Sequence, residues 1–412
     1  MSEPHPAAPP SRPAPTRPVQ RLSWFARRQR ASLDRAAERA HRALVARGSA
    51  AAPSPTSVGL VIASTVVLLA SVTAVALLVW ASVQPKGLWG WVGVLVAWAV
   101  VAAVVLRSQQ VSDAEPLPSE SFPHTHRLVA ALASDLGVRP PASIHVNLDF
   151  NAYVMSTGWR LRPALVIGLP TWTYLTDDER IAILGHELGH LAGRDHGRGT
   201  LVGTAHVVLV RLATLVTPLP AGASSNLSPS TVDDGGWGGT ATMNWMGTLL
   251  LRVISFPAVA LLLAFERLAA TDRQWREYLA DLRAADVAGT AAVVRLLLTM
   301  MNTSGLHTLA GSAARRREDP FAVLEHVRTR PAPTPSEVSS ARARARQADL
   351  RWDDSHPRDD LRLDVVEAHP ATPEPAALES HRVLVRAAEA ELATLRPGLS
   401  RELSHELVET WL

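Results

Sequence analysis

The chain has 412 residues, of which 47% are hydrophobic and 19% charged, and its formal net charge is only +3. Cysteine is absent, which excludes disulfides, thiolate metal sites and cysteine nucleophiles, so any metal must be held by histidine and carboxylate side chains. The arginines are scattered and no nucleic-acid motif accompanies them, so we expect no nucleic-acid partner.

Composition divides the chain into four predicted regions. Residues 1–56 form a Pro- and Arg-rich tail with a basic helix, and residues 57–107 form a transmembrane hairpin. Residues 108–369 form the main folded domain, and residues 370–412 form a helical extension at the carboxyl end.

Two charge-free apolar runs, 58–82 and 88–106, are long enough to cross a hydrocarbon layer of about 30 Å, so we predict a membrane hairpin. Two weaker runs, 201–218 and 245–265, are each interrupted by one arginine. We predict that they are further spans. The alternative is that they line an internal chamber or enter the lipid only in part, because an arginine in hydrocarbon is costly.

The distribution of basic residues predicts the orientation. Ten arginines between residues 12 and 47 precede the first run, whereas the loop after it holds a single basic residue, Lys86. Because positive charge stays on the cytoplasmic side, we expect a multi-pass protein of the cell membrane with a cytoplasmic amino terminus. The lipid bilayer is then one of its partners.

The segment 176–190 begins with a helix start signal. Thr176 and Glu179 are spaced as a capping box, in which each side chain binds the other residue's backbone amide. The apolar run that follows favours a helix from Asp177 onward.

This predicted helix carries the sequence HELGH. His186 and His190 are one helical turn apart, so both imidazoles project from the same face and can bind one zinc ion. Glu187 lies beside the first of them and can act as the base toward a water molecule activated by the metal.

A catalytic zinc needs a third protein ligand, and two residues are candidates. His196 completes the pattern H-E-x-x-H-x-x-G-x-x-H of metzincins. Glu277, much further along the chain, lies four residues before Asp281. That spacing places both carboxylates on one helix face, where Asp281 can hydrogen-bond the outer nitrogen of a ligand histidine.

The order of these motifs resembles the HtpX family of integral-membrane zinc peptidases, which are related to the CAAX prenyl endopeptidases. The resemblance rests on two apolar runs, the tripeptide Asn151-Ala152-Tyr153, HELGH, two more apolar runs and the segment REYLAD that contains Glu277. The segment 355–357, Ser-His-Pro, followed by Leu361 and Arg362, is similar to one that many members carry after the active site.

The resemblance implies a mostly α fold, in which transmembrane helices surround a gluzincin-type zinc metallopeptidase domain with a few short strands. It implies His186, His190 and Glu277 as ligands of one zinc ion, with Glu187 as the base. It also implies an active site that opens to the cytoplasm and substrates that are proteins or peptides. Predicted strands at 145–150 and 164–168 precede the site.

Several points stay open at this level. The metal site could be structural in a membrane sensor or scaffold, and a peptidase could serve quality control or cleave one specific signalling protein. Asn151, Ala152 and Tyr153 are the candidates for the strand that binds substrate. Tyr278 and His356 are candidates for stabilising the oxyanion.

Overall fold

The structure is a computed structural model that describes residues 38, 40–45, 55–84, 87–105, 114–157, 162–191, 201–210, 245–331, 333–347 and 357–409. Most of these residues are helical, as predicted. The strands are β1 (Glu115–Pro116), β2 (Ser143–Asn147), β3 (Ala152–Thr157) and β4 (Arg162–Gly168). The helices are α1 (Pro55–Ser82), α2 (Leu88–Val105), α3 (Pro123–Asp135), α4 (Leu169–Tyr174), α5 (Asp177–Gly189), α6 (Leu201–Val210), α7 (Trp245–Ala288), α8 (Thr290–Met300), α9 (Thr303–Arg315), α10 (Pro320–Arg328), α11 (Pro335–Gln347), α12 (Asp359–Ala368), α13 (Pro375–Ala393) and α14 (Arg396–Glu409).

The four predicted spans have different outcomes. Within the described residues, one helix, Thr56–Ser82, is long and apolar enough to cross a membrane, with a mean hydropathy of 2.5. The second predicted run is the 18-residue helix α2. The third is helical only as the short α6, since residues 211–218 lie outside the described part, and the fourth is the beginning of the 44-residue helix α7. All four spans therefore stay predictions, and the first of them coincides with a helix of the length and composition that a span requires.

Helix α1 packs along α6 and α7. Leu60 and Val67 share an apolar cluster with Phe265 of α7, and Ser57 near the start of α1 donates a hydrogen bond to Asp272. Helices α1 and α7 therefore run in opposite directions. This antiparallel arrangement puts the amino-terminal end of α1 beside the part of α7 that leads into residue 277.

A four-stranded sheet in the order β1-β2-β4-β3 lies next to α5. Strands β2 and β4 are parallel, and β3 is antiparallel to β4, so one side of β3 is an open edge. The predicted strands are found with shifted bounds, and the tripeptide Asn151-Ala152-Tyr153 leads into β3.

Gly168, the last residue of β4, sets the position of β3. A Cβ atom at this residue would lie 2.1 Å from the carbonyl oxygens of both Asp149 and Asn151. Its amide also donates to the Asn151 carbonyl at 3.0 Å. Only glycine lets the loop before β3 come this close, so the loop is held against the end of the sheet.

The capping box predicted at the start of α5 is confirmed. Thr176 Oγ1 accepts the amide of Glu179, and the Glu179 carboxylate accepts the amide of Thr176 at 2.9 Å. These bonds satisfy donors that a helix start leaves unpaired, so the local sequence is sufficient to begin the helix here.

Two glycines of α5, Gly185 just before HELGH and Gly189 within it, allow α5 to pack closely against α7. A Cβ atom at Gly185 would lie 2.7 Å from Val287 Cγ2, and one at Gly189 would lie 3.1 Å from Ala280 Cα. Any larger side chain would push the helices apart. Because the two helices pack closely, the histidines of α5 lie next to the side chains that α7 directs toward α5.

The helices of the predicted carboxyl-terminal extension share the core of the main domain. Val385, Ala388 and Leu392 of α13 belong to the same buried cluster as Ile181 and Leu184 of α5. The extension therefore packs directly on the helix that carries HELGH.

A buried charge network reinforces this contact. Arg180 of α5 is fully buried, and its Nη2 lies 2.9 Å from Glu389 Oε2 of α13. Glu389 also accepts from Trp172 Nε1 at 2.7 Å and from Arg328 and Arg396. Burial lowers the pKa of the Arg180 guanidinium to about 10, partly offset by Glu389, so the guanidinium stays charged at neutral pH and requires this carboxylate.

We therefore expect Glu389→Ala to lower the free energy of unfolding by about 3 kcal/mol, because it removes the nearer carboxylate from the buried Arg180 guanidinium and leaves only Asp177, at 3.5 Å. The control is Glu379→Ala on the same helix, whose half-exposed carboxylate pairs with Arg382; we expect a change of under about 1 kcal/mol. Thermal and urea unfolding of the full chain measure both. Equal stability of the two variants would contradict the role of the network.

Candidate metal centre

Helix α5 presents two imidazoles toward α7. His186 is buried and His190 is partly exposed, and their Nε2 atoms are 3.2 Å apart. The rings meet edge to face, with centroids 4.8 Å apart. Two ring nitrogens thus converge on one point, as the spacing within HELGH predicts.

Helix α7 supplies a carboxylate at the same point. Glu277 Oε2 lies 3.5 Å from His186 Nε2, and Glu277 Oε1 lies 3.6 Å from His190 Nε2. Among the described residues, these three form one group whose ligand atoms all lie within 4.8 Å of one another.

The donor set fits zinc. Bonds of about 2.0–2.2 Å in tetrahedral geometry place ligand atoms about 3.3–3.6 Å from each other, close to the separations between these atoms. Two histidines and one glutamate are also a ligand set of catalytic zinc, which leaves a fourth position free for water.

Asp281 forms a hydrogen bond with Nδ1 of His186, the ring nitrogen that faces away from the metal site. Asp281 Oδ1 lies 2.9 Å from His186 Nδ1, so that nitrogen keeps its proton, and a metal ion that replaces the proton on Nε2 would bind the lone pair of Nε2. Burial raises the pKa of Asp281, but the Arg362 guanidinium and the hydrogen bonds from Arg362 and His186 outweigh burial and lower it to about 2. Asp281 is therefore an anion at neutral pH.

The acidic groups make the site favourable for positive charge. Burial lowers the pKa of His186, but hydrogen bonds to Asp281 and Glu277 outweigh it and raise the pKa to about 10. A cation at this point is stabilised by both carboxylates, and a divalent metal ion can replace the proton.

Glu187 lies between the helix and the sheet. Its carboxylate accepts the amide of Val154 in β3 at 3.1 Å, and the residue is only 7% exposed. The Val154 amide therefore points to the open edge of β3 and not to β4. The sequence did not indicate Val154, because its contribution is a backbone group with no side-chain signal.

The predicted substrate tripeptide lies just before this point. The amide of Ala152 is bound by the side chain of Asn151 at 2.9 Å, and the Tyr153 hydroxyl contacts Asn147 at 3.2 Å. The strand comes nearest to Glu187 one residue further on, at Val154.

Three other predicted residues have separate outcomes. His196 and His356 lie outside the described residues, so the metzincin alternative stays a hypothesis. Tyr278 is fully buried in a cluster with Leu44 and Val365, where burial raises its pKa above the usual range. Its hydroxyl is enclosed by this cluster, which contradicts the suggested contact with substrate.

Arg362 of α12 was noted only within a resemblance, yet it contacts Asp281 directly. Its Nε donates to Asp281 Oδ2 and its Nη2 to Oδ1, both at 2.8 Å. An arginine far along the chain has no local pattern that indicates such a partner, although its position on the buried face of α12 could have suggested one.

A helix with H-E-x-x-H, joined by a glutamate from a second helix beside a sheet edge, defines the site of a metallopeptidase. The chain belongs to peptidase family M48, whose model matches residues 119–369, more than half of its length. Within that family it is HtpX-like, as its relatives show.

Protease HtpX of Chromohalobacter salexigens is 30% identical over 172 residues, covering 41% of this chain and 53% of that protein. Protease HtpX of Aliivibrio salmonicida is 27% identical over 213 residues, covering 51% and 69%. The Protease HtpX homolog of Syntrophobacter fumaroxidans is 27% identical over 226 residues, covering 53% and 73%. The chain thus spans about half the length of the first of these relatives. No solved structure matches it.

Proposed function

We propose that this protein is a membrane-bound, zinc-dependent endopeptidase that hydrolyses peptide bonds in proteins or peptides. The observation that carries the proposal is the convergence of His186, His190 and Glu277, with Glu187 next to the first ligand. A purely structural metal site would not require a carboxylate at that position.

In this proposal the two histidines and Glu277 hold the ion, and each other group has a defined task. Zinc, when bound, polarises the carbonyl and lowers the pKa of water. Glu187 takes the proton from the attacking water and later gives it to the leaving amine. Burial of Glu187 and its bond to the Val154 amide restrict where its carboxylate can point.

The open edge of β3 is the proposed place for the substrate backbone. An extended peptide can add as a further strand and donate to the carbonyls of Ala152 and Val154, which face away from β4, while the amides of these two residues stay bound to Asn151 and Glu187. Because Val154 lies next to Glu187, a peptide bound there is brought to the base.

The membrane part of the proposal is supported by the surface of α1. Its apolar side chains are largely exposed, including Ile62, Val66, Leu69 and Val72, each near or above 60%. A helix that belongs to a soluble core would bury such residues, so lipid is the proposed surrounding. Ser57 contacts α7 next to the metal centre, so the centre is proposed to lie on the same, cytoplasmic side as the amino terminus.

Cysteine labelling tests this orientation, and the chain has no cysteine of its own. We expect Ser340→Cys, in the exposed face of α11, to react from the cytoplasmic side of sealed membranes, and Val83→Cys, beyond the far end of α1, to react only from the other side. Labelling of both variants from one side would contradict a span formed by α1.

Removal of the metal tests the activity. We expect the full chain in detergent or lipid nanodiscs to contain one zinc ion and to cleave casein. A chelator should abolish cleavage, and added zinc should restore it, because three protein ligands hold the ion reversibly. Bound zinc without any cleavage of casein or membrane-protein substrates would instead favour the sensor or scaffold. Quality control is a proposed role that a comparison of damaged with native membrane-protein substrates would test.

A further inference from the structure

Arg362 is joined to the metal centre through one carboxylate. The residue is 8% exposed, and its fork-shaped guanidinium binds both oxygens of Asp281 at 2.8 Å. Asp281 Oδ1 also accepts the Nδ1 proton of His186 at 2.9 Å. Three helices, α5, α7 and α12, therefore meet in one continuous chain of hydrogen bonds.

The two-pronged bond restrains the carboxylate as a single-point contact would not. A planar guanidinium with two parallel bonds fixes the plane of the carboxylate. Asp281 then has one orientation in which Oδ1 meets His186, and the ring of His186 is fixed in turn. A lysine at this position could supply the charge but not the plane.

The charges of the site add a second consideration. Arg362 places a positive charge directly behind Asp281, and a second carboxylate, that of Asp359, lies 3.6 Å from its Nη1. If Arg362 acted by its charge alone, its removal would make the site more attractive to a cation. If it acts by orientation, its removal should weaken metal binding.

We propose that Arg362 is a positioning residue of the metal centre, which holds Asp281 and, through it, His186, without contacting the metal or the substrate. The inference rests on the proposed metal site of the peptidase, but it does not depend on which bond is cleaved.

The test compares Arg362→Gln and Arg362→Lys with a matched control, Arg358→Gln. Arg358 lies next to the start of the same helix and makes the same kind of two-pronged bond, to Asp360 at 3.0 and 2.7 Å, but does not contact Asp281 in these bonds. Zinc affinity is measured by chelator competition, and the ligand geometry by the absorption spectrum of the Co²⁺-loaded protein.

We expect Arg362→Gln to weaken zinc binding about ten- to a hundredfold and to alter the Co²⁺ spectrum, as losses of hydrogen bonds behind a ligand histidine do. Arg362→Lys should fall between the wild type and Arg362→Gln, and Arg358→Gln should match the wild type. Unchanged or tighter zinc binding by Arg362→Gln would overturn the proposal.

A double variant covers the case in which Arg362→Gln does not fold because Asp281 is left without a counter-ion. Asp281→Asn combined with Arg362→Gln leaves neither charge buried alone. If Arg362 acts through Asp281, the double variant should have the same zinc affinity as Asp281→Asn alone. If the fold-loss of affinity in the double variant equals the product of the losses in the two single variants, the proposal is overturned. A wild type that binds zinc normally but cleaves nothing would refute the proposed activity and leave this result standing.

Discussion

Glu187→Gln is expected to reduce peptide hydrolysis by a factor of about 100 or more, because a general base usually contributes at least that much. Glutamine has almost the same shape and can still accept the Val154 amide, which Glu187 accepts at 3.1 Å. The two histidines and Glu277 are untouched, so zinc content should stay at the wild-type level. Hydrolysis of a fluorogenic peptide and metal analysis of the same preparation measure both.

A matched control replaces a carboxylate that is remote from the site. Glu318→Gln removes an exposed glutamate that pairs only with Arg316 in the contacts described, and it should retain full activity. If Glu187→Gln keeps more than about a tenth of the wild-type rate, Glu187 is not the base and another group must be sought.

Glu277→Ala is expected to remove zinc and activity together. Three protein ligands hold a catalytic zinc, and loss of one leaves two imidazoles that cannot bind the ion tightly. The Glu277 carboxylate is 3.5 and 3.6 Å from the two Nε2 atoms, and among the described residues it is the one carboxylate in the group that these ligand atoms form. Zinc stoichiometry after dialysis, measured beside the rate of hydrolysis, gives the result.

The comparison with His196→Ala separates the two ligand hypotheses. We expect His196→Ala to keep its zinc, whereas a metzincin arrangement would require the opposite pattern. Glu266→Ala is the control on the same helix, since that glutamate pairs with His206 and not with the site. Asp281→Ala should lie between Glu277→Ala and the wild type, because it removes only the support of His186. If Glu277→Ala retains zinc and His196→Ala loses it, the proposed ligand set is wrong.

Local features of this protein could be predicted from its residues because their causes are local. The capping box at Thr176 is formed by residues three positions apart, and the two histidines of HELGH face one way because a helix turn has a fixed length. The helix α1 was predicted in the same manner, since an uncharged run of that length favours a helix by its composition alone.

Hydropathy was less informative about the other apolar runs. A mean over a window does not tell whether a helix faces lipid, protein or a wet cleft, and α7 continues without a break from its apolar beginning into the charged segment that carries Glu277. One continuous helix therefore joins the fourth apolar run to the segment that carries Glu277, and hydropathy gives no information about this continuity.

The amino-acid sequence by itself determined the helix of α5, its two histidines, the adjacent glutamate and the resemblance that points to Glu277. Only the tertiary structure decided that Glu277 reaches the histidines, that the Val154 amide meets Glu187 and that Arg362 supports Asp281. The reason is physical: helix turns and caps arise from residues a few positions apart, whereas these contacts join segments that are tens of residues apart in the chain. Their distances depend on how closely α5, α7, α12 and the sheet pack, which is governed by residues such as Gly185 and Gly189 and not by any spacing within one motif.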